Sequence, residues 1–399
     1  MKHIYTILLC IIIALLPWGR SINGFGIVLL SLVWLLSMDW KAKWYNIKEY
    51  KWVILPLLLY FVSLLVGLIY TPNVEAGLDE IVKKLSFLLI PIIIVSIFDK
   101  IEGHTDLFKK VLIGSLLLNF VIALIYAYVN YQKGNTLAFF YIHLLGFTKM
   151  HPSYLSLYLI LAICFLYELA QKESKYYFIL IPIFIVFTLL LVARTEIFIL
   201  FIVLLIISLH HFNKTKNLSI LILSVSVLIS CSLIAIKNIP ELNTRFSVLV
   251  KGEENNHTFT GVKNERSKIW AISYDQIKKT PFWGIGTGSS ASFFNKRFIE
   301  LNYKLFLDKK INNAHNQFIQ QLLIVGIPGL IILLFLYSFI FFKSLQYKYL
   351  YLFIFSITLI IASLTECIFE TQSGIVFISI FYTLISLFAI KESNFSYSI

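Results

Sequence analysis

The sequence predicts an all-α integral membrane protein of about twelve transmembrane helices with one large helical loop on one side of the membrane. Three observations predict it. The 399 residues are 59% hydrophobic and 14% charged, where soluble domains carry about 25% charged residues. Mean hydropathy is +0.83, and twelve apolar stretches of the length that crosses hydrocarbon as a helix run through the chain. A single wet segment, from about Lys237 to Asn313, interrupts them.

The apolar stretches place helices at 4–17, 22–38, 52–70, 81–98, 107–130, 151–169, 176–193, 196–211, 218–236, 314–342, 348–365 and 373–390. The first is read as a helix and not as a cleaved signal, because Pro17-Trp18-Gly19-Arg20 is no small-x-small cleavage site. The chain therefore divides into 1–236 with nine helices, the loop 237–313, and 314–399 with three, forming one functional domain. Short loops carrying Lys41, Lys43, Lys48, Lys51, Lys100, Lys109, Lys110, Lys172, Lys175, Lys214, Lys216, Lys343 and Lys348 alternate with loops carrying only Arg20, Lys133, Lys149 and Arg194. The positive-inside rule puts the first set and both termini in the cytoplasm, so the long loop faces outward.

The formal charge of +13 reflects those loops and does not point to nucleic acid. Cys10, Cys164, Cys231 and Cys367 sit in or beside different apolar runs with no paired spacing. They read as packing residues, not as disulfides or metal ligands. No Walker loop, zinc-protease helix or dinucleotide fingerprint appears, which argues against an ATP-driven pump and a zinc membrane protease. No cofactor or metal is expected.

The polar features fall on the outer side: His151, Arg194, the long loop, His315 and the stretch from Glu366 to Gln372. An enzyme at that face has no ATP, so its substrate must carry its own energy. Arg194 lies between two apolar runs, at a depth where an arginine costs about 2.5–3.5 kcal/mol and usually faces a cavity or partner. It reads as an anion clamp or as a snorkelling arginine paired with Glu196. His315 is placed in the first turn of the tenth helix, behind Asn312 and Asn313 as caps. The positive end of that helix favours the neutral imidazole a general base needs, and attracts phosphate. The alternative is a histidine that merely caps the helix or bonds Asn316.

Arg266 lies on a short outer helix expected to begin at the cap Asn264 and run to about Lys279, with Trp270, Tyr274 and Ile277 as an apolar stripe that could lie on the membrane. Pro281 to Ser289 is a glycine-rich turn in which N–H groups near Gly284 and Gly286 could bind an anion, or which simply reverses the chain. Glu366 and Glu370 are four apart and share a face if the chain is helical there. They could hold an arginine or bind sugar hydroxyls, with Gln372 beside them. His151 opens the sixth helix ahead of Pro152, as a cavity-lining group or as a helix cap.

Taken in order, these segments resemble the bacterial O-antigen ligase and polymerase family of membrane glycosyltransferases. The resemblance rests on His315-Asn316-Gln317-Phe318-Ile319-Gln320 running into Gly326-Ile327-Pro328-Gly329-Leu330, on Pro281-Phe282-Trp283-Gly284-Ile285-Gly286, on Arg266 with Trp270, on Arg194-Thr195, and on Glu366 to Gly374. It implies a helical periplasmic loop over a lateral cavity, in the bacterial inner membrane. It implies transfer of a glycan from an undecaprenyl-pyrophosphate donor, without metal, to lipid A-core (a ligase) or to a second lipid-linked glycan (a polymerase). By motif, Arg194 and Arg266 would hold the pyrophosphate and His315 would deprotonate the acceptor hydroxyl. Ala193 and Glu196 beside the arginine depart from the family pattern. The competing reading is a transporter or flippase for a lipid-linked glycan, but such a path needs charge at mid-depth on several helices, and the apolar runs are nearly free of it. A scaffold protein would leave Arg194 and His315 unexplained. The oligomeric state is open, a monomer being compatible with the chain.

Overall fold

The computed structural model describes residues 2–148, 150–216, 261–308 and 311–396. Within them the chain is helical, with no strand among the described residues. One-turn and 3-10 pieces aside, the helices are α1 (Lys2–Leu15), α2 (Arg20–Leu36), α3 (Trp40–Glu49), α4 (Lys51–Ile69), α5 (Val74–Lys84), α6 (Ser86–Ser96), α7 (Thr105–Gln132), α8 (Pro152–Lys172), α9 (Leu180–Leu190), α10 (Arg194–Thr215), α11 (Gly261–Lys279), α12 (Ser290–Glu300), α13 (Lys304–Asp308), α14 (Gln317–Gln346), α15 (Leu350–Ser363) and α16 (Gln372–Ser396).

The all-helical class stands, and a helix occupies every expected span except 218–236, which lies outside the described residues. The expected count of twelve crossings is not confirmed. Among the described residues, six helices are long and apolar enough to cross alone: Lys51–Ile69, Phe98–Gln132, Pro152–Lys172, Arg194–Thr215, Gln317–Gln346 and Gln372–Ser393. The segments His3–Trp18, Lys175–Leu190 and Leu350–Ser363 are apolar but shorter. The expected span 81–98 divides at Leu85 into the amphipathic α5 and the 11-residue α6. At 1.5 Å per residue α6 is about 16 Å long, roughly half the hydrocarbon thickness. The segment expected as a loop after α2 is helix α3, bent by 114° from its predecessor. Lys43 on α3 is buried and its ammonium donates to the carbonyls of Trp34 and Ser37. It thereby satisfies the end of α2, which has no intrahelical donor left.

The backbone forms two compact units, one of residues 1–6, 27–103 and 258–399, the other of 7–26 and 104–257. In the first, α4 packs on α6, α14 and α16, and α14 also packs on α15 and α11. In the second, α8 packs on α7, α9 and α10, and every residue from Pro152 to Ala170 is buried. Lys109 of α7 and Glu168 of α8 form a buried pair there at 2.6 Å, with Lys172 2.7 Å from the same carboxylate.

The described part of the long polar segment has its own apolar core. Ile269, Ile272, Phe294, Phe298, Phe306 and Ala314 are buried together, with Trp270 and Ile277 packed against them. Each large side chain so buried contributes about 1.5–3 kcal/mol. Tyr274 is 58% exposed, so the expected stripe of Trp270, Tyr274 and Ile277 is not one surface. Its two ends face the cluster and its middle does not.

A break in α14 fixes this segment to the helices. Gly326 has φ 76° and ψ −162°, and Pro328 has no N–H to give to the Ile324 carbonyl. The glycine-rich turn supplies what the helix lacks. Ile285 N–H donates to Leu323 O at 2.9 Å, Gly286 N–H to Ile324 O at 3.0 Å, and Ile327 N–H donates back to Pro281 O at 2.9 Å. A Cβ at Gly326 would lie 2.2 Å from the Phe282 carbonyl oxygen, so only glycine allows the approach. Thr287 completes the clip, its N–H donating to Gly67 O and its hydroxyl to Leu64 O on α4.

Candidate functional site

Three segments of the first unit converge on one carboxylate. Arg266 and Trp270 are one turn apart on α11 and so share a face. Trp270 Nε1 donates to Ala314 O at 2.9 Å, which ties that helix to the strand of chain carrying His315. Glu366 lies in the non-helical turn between α15 and α16. Its Oε1 accepts from the Arg266 guanidinium at 3.0 Å, and its Oε2 lies 3.5 Å from His315 Nδ1.

His315 is not in the first turn of a helix, as the sequence suggested. It has φ 48°, in the left-handed region, and precedes the cap. Asn316 is the N-cap: its Oδ1 accepts from the N–H groups of Phe318 and Ile319, both at 3.0 Å. Asn313 instead accepts from the His315 N–H at 3.0 Å, a local Asx turn. The Asn316 amide nitrogen donates to Leu364 O at 3.0 Å, so one side chain caps α14 and fastens the turn that carries Glu366. Two buried glutamines brace the same region. Gln317 Oε1 accepts from Phe369 N–H at 2.9 Å, and Gln320 Oε1 accepts from Ala314 N–H at 3.0 Å.

The side chains of His315 and Arg266 are 35% and 33% exposed, over a Glu366 side chain only 13% exposed. A sheltered carboxylate thus orients two accessible groups. With the Nδ1 proton directed at Glu366, the lone pair of His315 sits on Nε2, the arrangement a general base uses.

Glu370 has a different environment. The turn is not helical, so Glu366 and Glu370 do not share a face as expected. Both oxygens of Glu370 accept from Lys84 Nζ at 2.8 Å, and Lys84 also lies 3.5 Å from Glu80. Lys84 is 1% exposed and Glu370 9%. Burial pushes the Glu370 carboxyl above its ordinary value, against the pull of the Lys84 charge. Glu80, partly buried, is held below its ordinary value by Lys84 and Lys83, against the effect of burial. Sequence reasoning missed Lys84 and Glu80; the signal was a Lys-Lys pair inside the expected span 81–98.

The remaining expected residues fall as follows. Gly284 and Gly286 belong to the clip on α14, where their N–H groups donate to Thr280 O and Ile324 O; these donors are taken by carbonyls and are not presented to an anion. Gln372 opens α16. Asn264 lies inside α11 and does not cap it. In the second unit, His151 caps α8, its Nδ1 accepting from Ser153 N–H at 3.3 Å. Arg194 is the first residue of α10, after Val192 at φ 53° and Ala193 in extended geometry. A β-branched residue at positive φ is strained, and buried packing of Val192 against Phe140, Tyr141, Leu189 and Ile197 holds it. Cys164 and Cys367 are buried and in no disulfide, as a packing role requires, and Cys231 lies outside the described residues.

Residues 177–334 match the family model for O-antigen ligase. The chain carries an O-antigen ligase family segment. That O-antigen ligase segment contains Arg194, Arg266, Trp270, the glycine-rich turn, His315, Asn316 and Gly326. It ends before Glu366 and begins after Lys84, so the carboxylate that joins Arg266 to His315 comes from outside the match. No curated protein gives a significant match to the chain. The apolar helices describe a multi-pass membrane protein, and the match covers less than half of its length.

Proposed function

We propose that the protein is a membrane glycosyltransferase that moves a glycan from undecaprenyl pyrophosphate to an acceptor sugar hydroxyl, at the outer face of the bacterial inner membrane, with both termini in the cytoplasm. The observation that carries this reading is the Glu366 carboxylate bound to both Arg266 and His315, in a chain with an O-antigen ligase segment.

The chemistry follows from the groups present. His315 Nε2 accepts the proton of the acceptor hydroxyl while Glu366 holds the Nδ1–H and stabilises the imidazolium that forms. The hydroxyl oxygen bonds to the anomeric carbon as the bond from that carbon to the pyrophosphate oxygen breaks. Undecaprenyl pyrophosphate departs with the electron pair. Arg266 offers a guanidinium of five N–H donors, one of them on Glu366, and the others can meet the charge growing on the leaving group. Arg194 is assigned the same task on the sequence resemblance. The donor's own pyrophosphate linkage supplies the driving force, and neither a metal nor a nucleotide sugar takes part. The acceptor is lipid A-core in a ligase or a second lipid-linked glycan in a polymerase.

The test uses purified full-length protein in detergent with undecaprenyl-pyrophosphate-linked glycan and each acceptor, without an ion gradient. Release of undecaprenyl pyrophosphate coupled to glycosylation of one acceptor, abolished in His315→Ala, is expected. Full activity of folded His315→Ala removes the base assignment. A donor moved across vesicles but never consumed replaces the enzyme with a transporter.

A further inference from the structure

The Lys84–Glu370 pair is the least expected feature of the first unit. A lysine with 1% of its side chain exposed and a carboxylate with 9% meet through two 2.8 Å hydrogen bonds. Taking both charges out of water is costly, and well-packed apolar residues often serve stability as well or better. Bulk stability is therefore a weak reason for the pair, and its position suggests a stronger one. Glu370 stands four residues from Glu366 in the same turn, and that turn is fastened at successive points. Asn316 holds Leu364 O at 3.0 Å, Gln317 holds Phe369 N–H at 2.9 Å, and Lys84 holds Glu370. The Phe369 ring is wedged among Tyr60, Phe87 and Tyr337, with centroids 4.9–6.0 Å away. Asn316 and Gln317 both belong to the start of α14, next to His315. Lys84 adds a charged tie from a further element, the end of α5, to the polar end of the turn.

We infer that Lys84 and Glu370 are positioning residues: their buried ion pair pins the 364–371 turn so that Glu366 is held at once against His315 Nδ1 and Arg266. This rests on the glycosyltransferase reading for its kinetic consequence, though not for the geometry itself. Neither residue touches substrate in this account. Glu370, which the sequence offered to a sugar, is instead fully engaged by Lys84. A turn that loses the Lys84 tie keeps its fold through Asn316, Gln317 and the Phe369 ring but lets Glu366 drift, and a small misplacement of an orienting group lowers the chemical step more than binding.

The experiment compares Glu370→Gln, Lys84→Met and the conservative Lys84→Arg and Glu370→Asp in full-length protein. Donor-dependent kcat and KM are read together with amide hydrogen exchange across 364–371. Glu370→Gln and Lys84→Met are expected to lower kcat about tenfold with KM within about twofold, and to speed exchange in 364–371 without loosening α8. Lys84→Arg, which keeps a cation for the carboxylate, should recover most of kcat; Glu370→Asp, one methylene short, should not. Wild-type kcat and exchange in Glu370→Gln and Lys84→Met overturn the inference. So does a loss of activity that follows only the amount of folded protein and is not recovered by Lys84→Arg. If the first two variants do not fold, the split between Lys84→Arg and Glu370→Asp decides. Should the wild-type protein transfer no glycan, the proposed function falls, and the exchange arm still judges the pin.

Discussion

Glu366 Oε2 lies 3.5 Å from His315 Nδ1, across 51 residues of sequence. The other oxygen of that carboxylate holds Arg266. Orientation of the imidazole and placement of the guanidinium therefore depend on one side chain, and the two functions can be separated by substitution.

Glu366→Gln keeps a hydrogen-bond acceptor of nearly the same shape but removes the charge. It should lower kcat by about 10²–10⁴-fold, the usual range for losing the group that orients a catalytic histidine, with a smaller change in donor KM. The release of undecaprenyl pyrophosphate by purified protein measures it. A kcat within twofold of wild type would show that the carboxylate is only Arg266's structural partner.

Gly326→Ala tests the clip between the glycine-rich turn and α14. The added Cβ would stand 2.2 Å from Phe282 O at a residue with φ 76°, so both strain and displacement oppose it. Destabilisation of at least about 2–3 kcal/mol is expected, read as a lower Tm in detergent. Gly114, where an added Cβ meets nothing within 4 Å, serves as the control and should tolerate alanine.

Asn316 caps α14 and ties Leu364, and the two roles divide cleanly. Asn316→Asp retains the oxygen that accepts from Phe318 and Ile319 but loses the amide that donates to Leu364. It should keep the Tm within a few degrees while lowering kcat. Asn316→Ala loses the cap as well, about 1 kcal/mol more. Equal Tm values for the two variants would remove the cap from the account.

Lys109→Met leaves Glu168, 2% exposed, with Lys172 as its neighbour at 2.7 Å. Breaking a buried pair from one side costs about 3–5 kcal/mol. A large fall in folded yield is expected, with the surviving protein as active per molecule as wild type. A normal yield would show that Lys172 alone satisfies the carboxylate.

Arg194→Lys preserves charge and removes the planar fork that matches phosphate oxygens. On the proposed donor role, kcat/KM for the donor should fall about tenfold or more with little change in Tm. An unchanged kcat/KM in folded protein would return Arg194 to a purely structural place at the head of α10.

Much of this was legible in advance because it is local. Apolar runs gave the helices, since a chain in hydrocarbon must satisfy its backbone within each segment. The run from Arg266 to Lys279 was legible as a short helix ended before Pro281, while the break at Gly326 within the expected span 314–342 was not. What was misread is equally local: Asn316, not Asn312 or Asn313, takes the cap, because both of its side-chain ends find partners there. The run 81–98 has the composition of a span, while the turn at Leu85 leaves only 11 residues in line.

The sequence by itself determined an all-helical membrane protein, the boundaries of most helices, and the residue types of the proposed site. Periodicity and hydropathy act over a few turns and need no partner from elsewhere in the chain. Only the tertiary structure decided that Glu366 joins Arg266 to His315, that Lys84 meets Glu370 across 286 positions, and that the glycine-rich turn repairs α14. Those are pairings of buried polar groups, each of which must find a partner once water is gone. Which partner is within reach depends on how distant helices pack, and no short stretch of sequence carries that.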